Sequence, residues 1–202
     1  NNPLIELEAL GQSIWLDYIR NDIFKSGMLR RLIEEDGLRG ITSNPSLFEK
    51  AISEYHIYDL DIRTLAFREK DTKEIYEAIS QRDIQKAADE FRPLYEKTDG
   101  NDGYVSLEVN PHLAYDTQGT IEEARRLWTA LNRSNVFIKV PATTAGLPAI
   151  RQLISEGINI NVTLLFGLPR YRQVIKAYKA GIAARIEQGK SVRNVVSVAS
   201  FF

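Results

Sequence analysis

Short apolar runs alternate along the chain with longer stretches whose apolar residues recur at helical spacing. Ile14–Asp17 (IWLD) reads as a first strand, and residues 26–35 (SGMLRRLIEE) read as a helix ending near Gly37. RGITSN, residues 39–44, reads as a second strand, stopped by Asn44-Pro45. Residues 47–53 (LFEKAIS) open a helical region. Residues 72–80 and 82–97 continue it, with Ile75, Ala78 and Ile79, then Ile84, Ala87, Ala88 and Phe91, at helical spacing. After the turn cluster TDGNDG (98–103), YVSLEV (104–109) alternates strictly and reads as a third strand. Thr120-Ile121-Glu122-Glu123 has the spacing of a capping box, and Ile121, Ala124, Leu127, Trp128 and Leu131 form one helical face. VFIKVP (136–141) is a fourth strand, LPAIRQLISEG (147–157) a short helix closed by glycine, and INVTLLF (160–166) a fifth strand. YRQVIKAYKAGIAARIE (171–187) is a long helix with Tyr171, Val174, Ile175, Tyr178 and Ile182 on one side, and NVVSVASFF (194–202) starts a sixth strand.

Repeated strand–helix units imply a parallel sheet covered by helices, which fits both a doubly wound sheet and an eight-stranded barrel. In a barrel the functional side chains project from the C-terminal ends of several different strands. Here Asp17, Asn44, Glu108, Lys139, Thr163 and Ser200 stand at or near those ends, one per strand. Such a set favours an α/β fold of the (β/α)8 TIM-barrel type, incomplete at about six strands. The segment 45–103 is too long for one crossover helix and reads as a helical insertion after strand two. Residues 1–202 are expected to form a single, C-terminally truncated barrel domain.

Composition changes this picture little. The 202 residues are 44% hydrophobic and 26% charged, which is ordinary for a globular protein. A net charge of −1 gives no field favouring nucleic acid or a membrane surface. No apolar stretch approaches the ~20 residues of a membrane span. The absence of cysteine removes disulfides, thiolate catalysis and Cys-ligated zinc together. The N-terminal NNPLIELEALGQ lacks the basic region and apolar run of a signal peptide, so a cytoplasmic protein is expected. The chain begins without Met, so its true start is expected to lie upstream.

Lys139 carries the sharpest chemistry. It interrupts an apolar strand, sharing a face with Phe137 and Pro141 while Val136, Ile138 and Val140 take the other. Desolvation by apolar walls biases a lysine toward its neutral amine, which can attack a ketone or aldehyde and form a Schiff base. That chemistry needs proton transfer, for which Glu108 and Asp17 are suitable carboxylates. Thr163 could hold a water, and Asn44 and Ser200 could fix substrate hydroxyls. A metal route would need a histidine-rich site; the chain has His56 and His112 only, at unrelated positions. Ala184–Ser191 resembles a loosened phosphate loop, but it closes a helix where that motif should open one.

Aligned together, GITSNPSLFEKAI (40–52), VSLEVNP (105–111), FIKVPAT (137–143), INVTLLF (160–166) and SVASFF (197–202) resemble the transaldolase family. The resemblance covers essentially the whole chain and is to the long bacterial form, also found fused to a glucose-6-phosphate isomerase. It implies a metal-free and cofactor-free class I aldolase-type barrel of the pentose phosphate pathway. The expected partners are sugar phosphates: a dihydroxyacetone unit moves between sedoheptulose 7-phosphate and glyceraldehyde 3-phosphate, giving erythrose 4-phosphate and fructose 6-phosphate. By this resemblance Lys139 is the Schiff-base lysine, and Glu108 works through a water held by Thr163 in carbinolamine formation and dehydration. Asp17 handles the proton of the donor's C4 hydroxyl, Asn44 and Ser200 bind donor hydroxyls, and Phe202 forms part of the pocket wall. The family continues into a phosphate-binding arginine and strands seven and eight, which are not present, so residues 1–202 alone are expected to be inactive. Two alternatives remain: a fructose-6-phosphate aldolase, whose branch lacks the glutamate seen at Glu108, and a catalytically silent barrel serving as a binding module.

Overall fold

Asn2 opens the first helix, α1 (Pro3–Ala9), by accepting a hydrogen bond from the Leu4 amide through its side chain. This computed structural model describes residues 2–43, 49–50, 52–53 and 56–202. The chain divides into two compact units, Asn1–Val105 and Ser106–Phe202.

In the first unit β1 (Ile14–Asp17) is followed by α2 (Asn21–Lys25), α3 (Met28–Glu35) and β2 (Leu38–Thr42). The two strands pair in parallel, with a register shift after Ile14 that sets Trp15 opposite Gly40. Only glycine fits there: a Cβ on residue 40 would lie 2.2 Å from the Trp15 ring. The strand stops at Thr42, so Asn44 lies beyond it and outside the described residues. The next described helices are α4 (Asp59–Ala66) and α5 (Thr72–Lys97), the second where the spacing predicts one. The runs 72–80 and 82–97 are one unbroken helix of 26 residues. It starts with a reciprocal cap in which Asp71 accepts from the Glu74 amide and the Glu74 carboxylate accepts from the Asp71 amide. Ile79, Ile84, Ala87, Ala88 and Phe91 of α5 are buried. β3 (Tyr104–Glu108) then begins where the Gly103 amide donates to Arg39 O at 2.8 Å, and it runs through the boundary between the units.

In the second unit α6 spans Thr117–Leu131. The expected capping box at Thr120–Glu123 does not form. Asp116 is the cap, accepting from the Gly119 amide, and Thr120 sits inside the helix with its hydroxyl donating to Leu113 O. β4 (Val136–Pro141), α7 (Gly146–Glu156), β5 (Ile160–Leu165), α8 (Leu168–Glu187) and β6 (Ser197–Phe201) follow. Gly157 closes α7 in the left-handed conformation that ends many helices. The supposed phosphate loop is a helix end, with α8 stopping at Glu187 and Gly189 at positive φ. β4 and β5 pair in parallel, with Lys139 opposite Asn161 and Pro141 opposite Thr163. Val136, Ile138, Val140, Ile160 and Val162 are buried with Ile150, Leu153 and Ile154 of α7 in the core. α8 lies tight on α7, since a Cβ on Gly181 would meet Arg151 O at 2.7 Å. Asn159 ties the starts of three strands together: its amide donates to Ser134 O and Val136 O, and its carbonyl accepts from the Val196 amide.

Six parallel strands, ordered in the sheet as in the chain with helices between them, make an incomplete α/β fold of the TIM-barrel type.

Candidate active site

The strands of the second unit deliver four of the expected side chains from their C-terminal halves. β3 and β4 are tied where the Val109 amide donates to Lys139 O at 3.2 Å, which sets Glu108 beside Lys139. The Lys139 amine lies 3.4 Å from Glu108 Oε2, and the two side chains are only 13% and 18% exposed. An amine and a carboxylate so close, and shielded from bulk water, can exchange a proton without a diffusing base.

Thr163 ends this row on β5. Its hydroxyl oxygen is buried and has no hydrogen-bond partner among the described residues, although its carbonyl accepts from the Ala142 amide at 2.9 Å. A buried hydroxyl of this kind is a natural seat for a water or a substrate oxygen.

Ser200, on β6, donates to Asn161 Oδ1 at 2.8 Å, and Asn161 Nδ2 in turn donates to Ser106 Oγ at 3.1 Å. This polar bridge links β3, β5 and β6 and passes through the residue paired with Lys139. The sequence reading missed both Asn161 and Ser106. The signal was available: each stands two residues before a polar strand-end residue, Thr163 and Glu108, and so on the same face of its strand. Phe202 is 74% exposed, and its ring centroid lies 5.8 Å from that of Phe166, a second aromatic the sequence reading passed over.

Asp17 ends β1 in the first unit, exposed and opposite Thr42. Asn44 falls outside the described residues. His56 faces Asp59 at 3.0 Å, and His112 sits in a single 3-10 turn. The first unit also holds a buried carboxyl with no place among the expected site residues. Asp83 is fully buried and accepts from the Tyr58 hydroxyl at 2.7 Å, which itself accepts from the Asn21 amide. Burial holds the Asp83 carboxyl above the usual carboxylate range, and burial together with the neighbouring carboxylate raises the Tyr58 hydroxyl. Arg82 makes a two-pronged bond to Asp61 and so holds that carboxyl below its ordinary value. Among the described residues no helix is long and apolar enough to cross a membrane.

Residues 14–202 match the family described as Transaldolase/Fructose-6-phosphate aldolase. Among curated proteins, the chain is 50% identical over 201 residues to "Transaldolase 2" of Nostoc sp. (strain PCC 7120), covering 100% of this chain and 53% of that protein. It is 50% identical to "Transaldolase" of Trichodesmium erythraeum, again over 100% of this chain and 53% of the relative. The identity to "Transaldolase" of Mycobacterium bovis (strain ATCC BAA-935 / AF2122/97) is 46%, over 100% of this chain and 54% of the relative. The chain thus spans about half the length of the curated relatives it matches.

Proposed function

Because the chain belongs to the transaldolase/fructose-6-phosphate aldolase family, we propose that it carries the Schiff-base site of a cytoplasmic transaldolase acting on sugar phosphates. The observation that carries this reading is the half-buried amine–carboxylate pair, Lys139 and Glu108 at 3.4 Å.

The chemistry follows from the groups. Glu108 accepts a proton from the Lys139 ammonium, freeing the amine lone pair to attack the ketose carbonyl carbon. The resulting carbinolamine hydroxyl takes a proton, relayed from Glu108 through a water on the Thr163 hydroxyl, and leaves as water, giving the iminium. Asp17 removes the proton of the donor's C4 hydroxyl. The C3–C4 bond then breaks, its electron pair passing into the iminium to give an enamine while the aldose leaves. Attack of the enamine carbon on an acceptor aldehyde, followed by hydrolysis, returns the free lysine. Ser200, donating to Asn161, offers its hydroxyl oxygen as an acceptor to the donor's hydroxyls, and Phe202 walls the pocket. The proposed donors are sedoheptulose 7-phosphate and fructose 6-phosphate, and the proposed acceptors glyceraldehyde 3-phosphate and erythrose 4-phosphate. Glu108 favours this reading over a fructose-6-phosphate aldolase.

The test is borohydride trapping with fructose 6-phosphate on the protein as it occurs. A reduced dihydroxyacetone adduct should be found on Lys139 by peptide mass mapping. Lys139→Arg should abolish it, since an always-charged guanidinium forms no imine. An adduct on Lys179 or Lys190 instead would sink the assignment.

A further inference from the structure

β5 is irregular at one residue. Against β6 it runs Val162↔Ala199 and then Leu165↔Phe201, so three steps on β5 meet two on β6. The pairing with β4 is regular through Pro141↔Thr163, with the Ala142 amide on Thr163 O, and the Phe202 amide donates to Leu165 O at 2.8 Å. The extra residue is therefore bracketed at Leu164, whose φ is +59°. Left-handed backbone is rare for residues other than glycine, asparagine and aspartate, because the Cβ crowds the carbonyl. Side-chain packing does not explain it, since Leu164 is 51% exposed.

The bulge changes which side each later residue faces. In a regular strand Leu164 would share the face of Ile160 and Val162, and Leu165 the face of Asn161 and Thr163. A one-residue bulge at Leu164 reverses that alternation for the residues after it; Leu165 is fully buried, while Phe166 is 69% exposed and meets Phe202. The slip thus falls immediately after Thr163 and two residues before Phe166. Bulges re-aim side chains next to active sites, and costly backbone conformations persist where the site needs them.

We propose that Leu164 is a positioning residue: its left-handed backbone makes the one-residue bulge that sets the direction of the Thr163 hydroxyl and brings Phe166 to Phe202. The proposal rests on the Schiff-base reading above, in which Thr163 holds the proton-relaying water.

The experiment compares Leu164→Gly, Leu164→Asn, Leu164→Val and Leu164→Ile in the protein as it occurs, reading the rate of imine formation by rapid borohydride quench. Backbone preference and side-chain chemistry predict opposite orders. Glycine and asparagine accept positive φ, whereas valine and isoleucine resemble leucine but resist it. Gly and Asn should keep the rate within about threefold, and Val and Ile should lose on the order of tenfold to a hundredfold through misplacement of the relay. In a Thr163→Ala background the Val substitution should cost nothing further, because the group it misplaces is gone. Retained rate with Val and Ile but loss with Gly and Asn would overturn the proposal, as would an undiminished Val effect in the Thr163→Ala background. Should the Val and Ile proteins fail to fold, loss of rate in the Gly and Asn variants still refutes it. A crystal structure of the Val variant judges the bulge separately from the chemistry. Regular β5–β6 pairing supports the proposal, and an intact bulge with valine at positive φ rejects it, even if no imine forms in the unaltered protein.

Discussion

Glu108 and Asp83 are both shielded carboxyls, and their neighbours give them opposite work. Glu108 has an amine at 3.4 Å to exchange a proton with. Glu108→Gln keeps the shape and removes the base, so imine formation should slow on the order of 10²-fold or more. Rapid-quench trapping with fructose 6-phosphate measures this; an unchanged rate would remove Glu108 from the relay. Asp83 accepts from the Tyr58 hydroxyl and has Arg82 Nε 3.7 Å away, in a guanidinium also bonded to Asp61, and these do not offset its burial. Its folded-state pKa is raised, so ionising it destabilises the fold fully above that raised value and not at all below its ordinary value of 3.8. Asp83→Asn removes that cost and keeps an acceptor for the Tyr58 hydroxyl. It should therefore be more stable than the unaltered protein near neutral pH, by a margin that shrinks as pH falls toward the carboxylate range. Asp22, Asp61 and Glu156, each lowered by an arginine, lose their stabilising charge only as pH falls below their ordinary values, and they are common to both proteins and cancel. Urea midpoints across pH test this, and a margin that widened on acidification would contradict the assignment.

At the scale of elements, α5 shows how far one apolar stripe determines packing. Ile79 and Phe91 are fully buried on it, whereas Ile75 keeps part of its surface. Phe91→Ala should cost about 3–5 kcal/mol and Ile79→Ala about 2–5 kcal/mol, with a smaller loss for Ile75→Ala. Denaturant melts would show it, and equal losses at Ile75 and Ile79 would mean the stripe has been misjudged. The same elements show what a sequence makes legible. β4 was readable to the residue because six consecutive positions from Val136 to Pro141 form an apolar run around one lysine. α7 was readable because Gly157 ends it at positive φ. The capping box at Thr120 misled because Asp116 offers a carboxylate to the Gly119 amide one turn earlier, and spacing alone does not rank two caps. The bulge at Leu164 left no trace, since a leucine announces an ordinary strand. Of the site, the strand-end residues were visible as polar interruptions. Asn161 and Ser106 were legible only as same-face neighbours of Thr163 and Glu108, and what they do there is given by their hydrogen bonds to one another and to Ser200.

For the molecule as a whole, β3 matters most, because the boundary between the compact units falls within it, between Val105 and Ser106. Each unit also has its own tryptophan, Trp15 on β1 and Trp128 on α6. Those two indoles are separate optical probes of one chain. Trp128→Phe leaves emission from the first unit alone and Trp15→Phe emission from the second. Because β3 contributes residues to both units, neither can lose its share of that strand without shortening it for the other, so the two single-tryptophan proteins should lose fluorescence at matching denaturant midpoints. Midpoints separated by more than the shift each substitution itself causes would reveal two melting units.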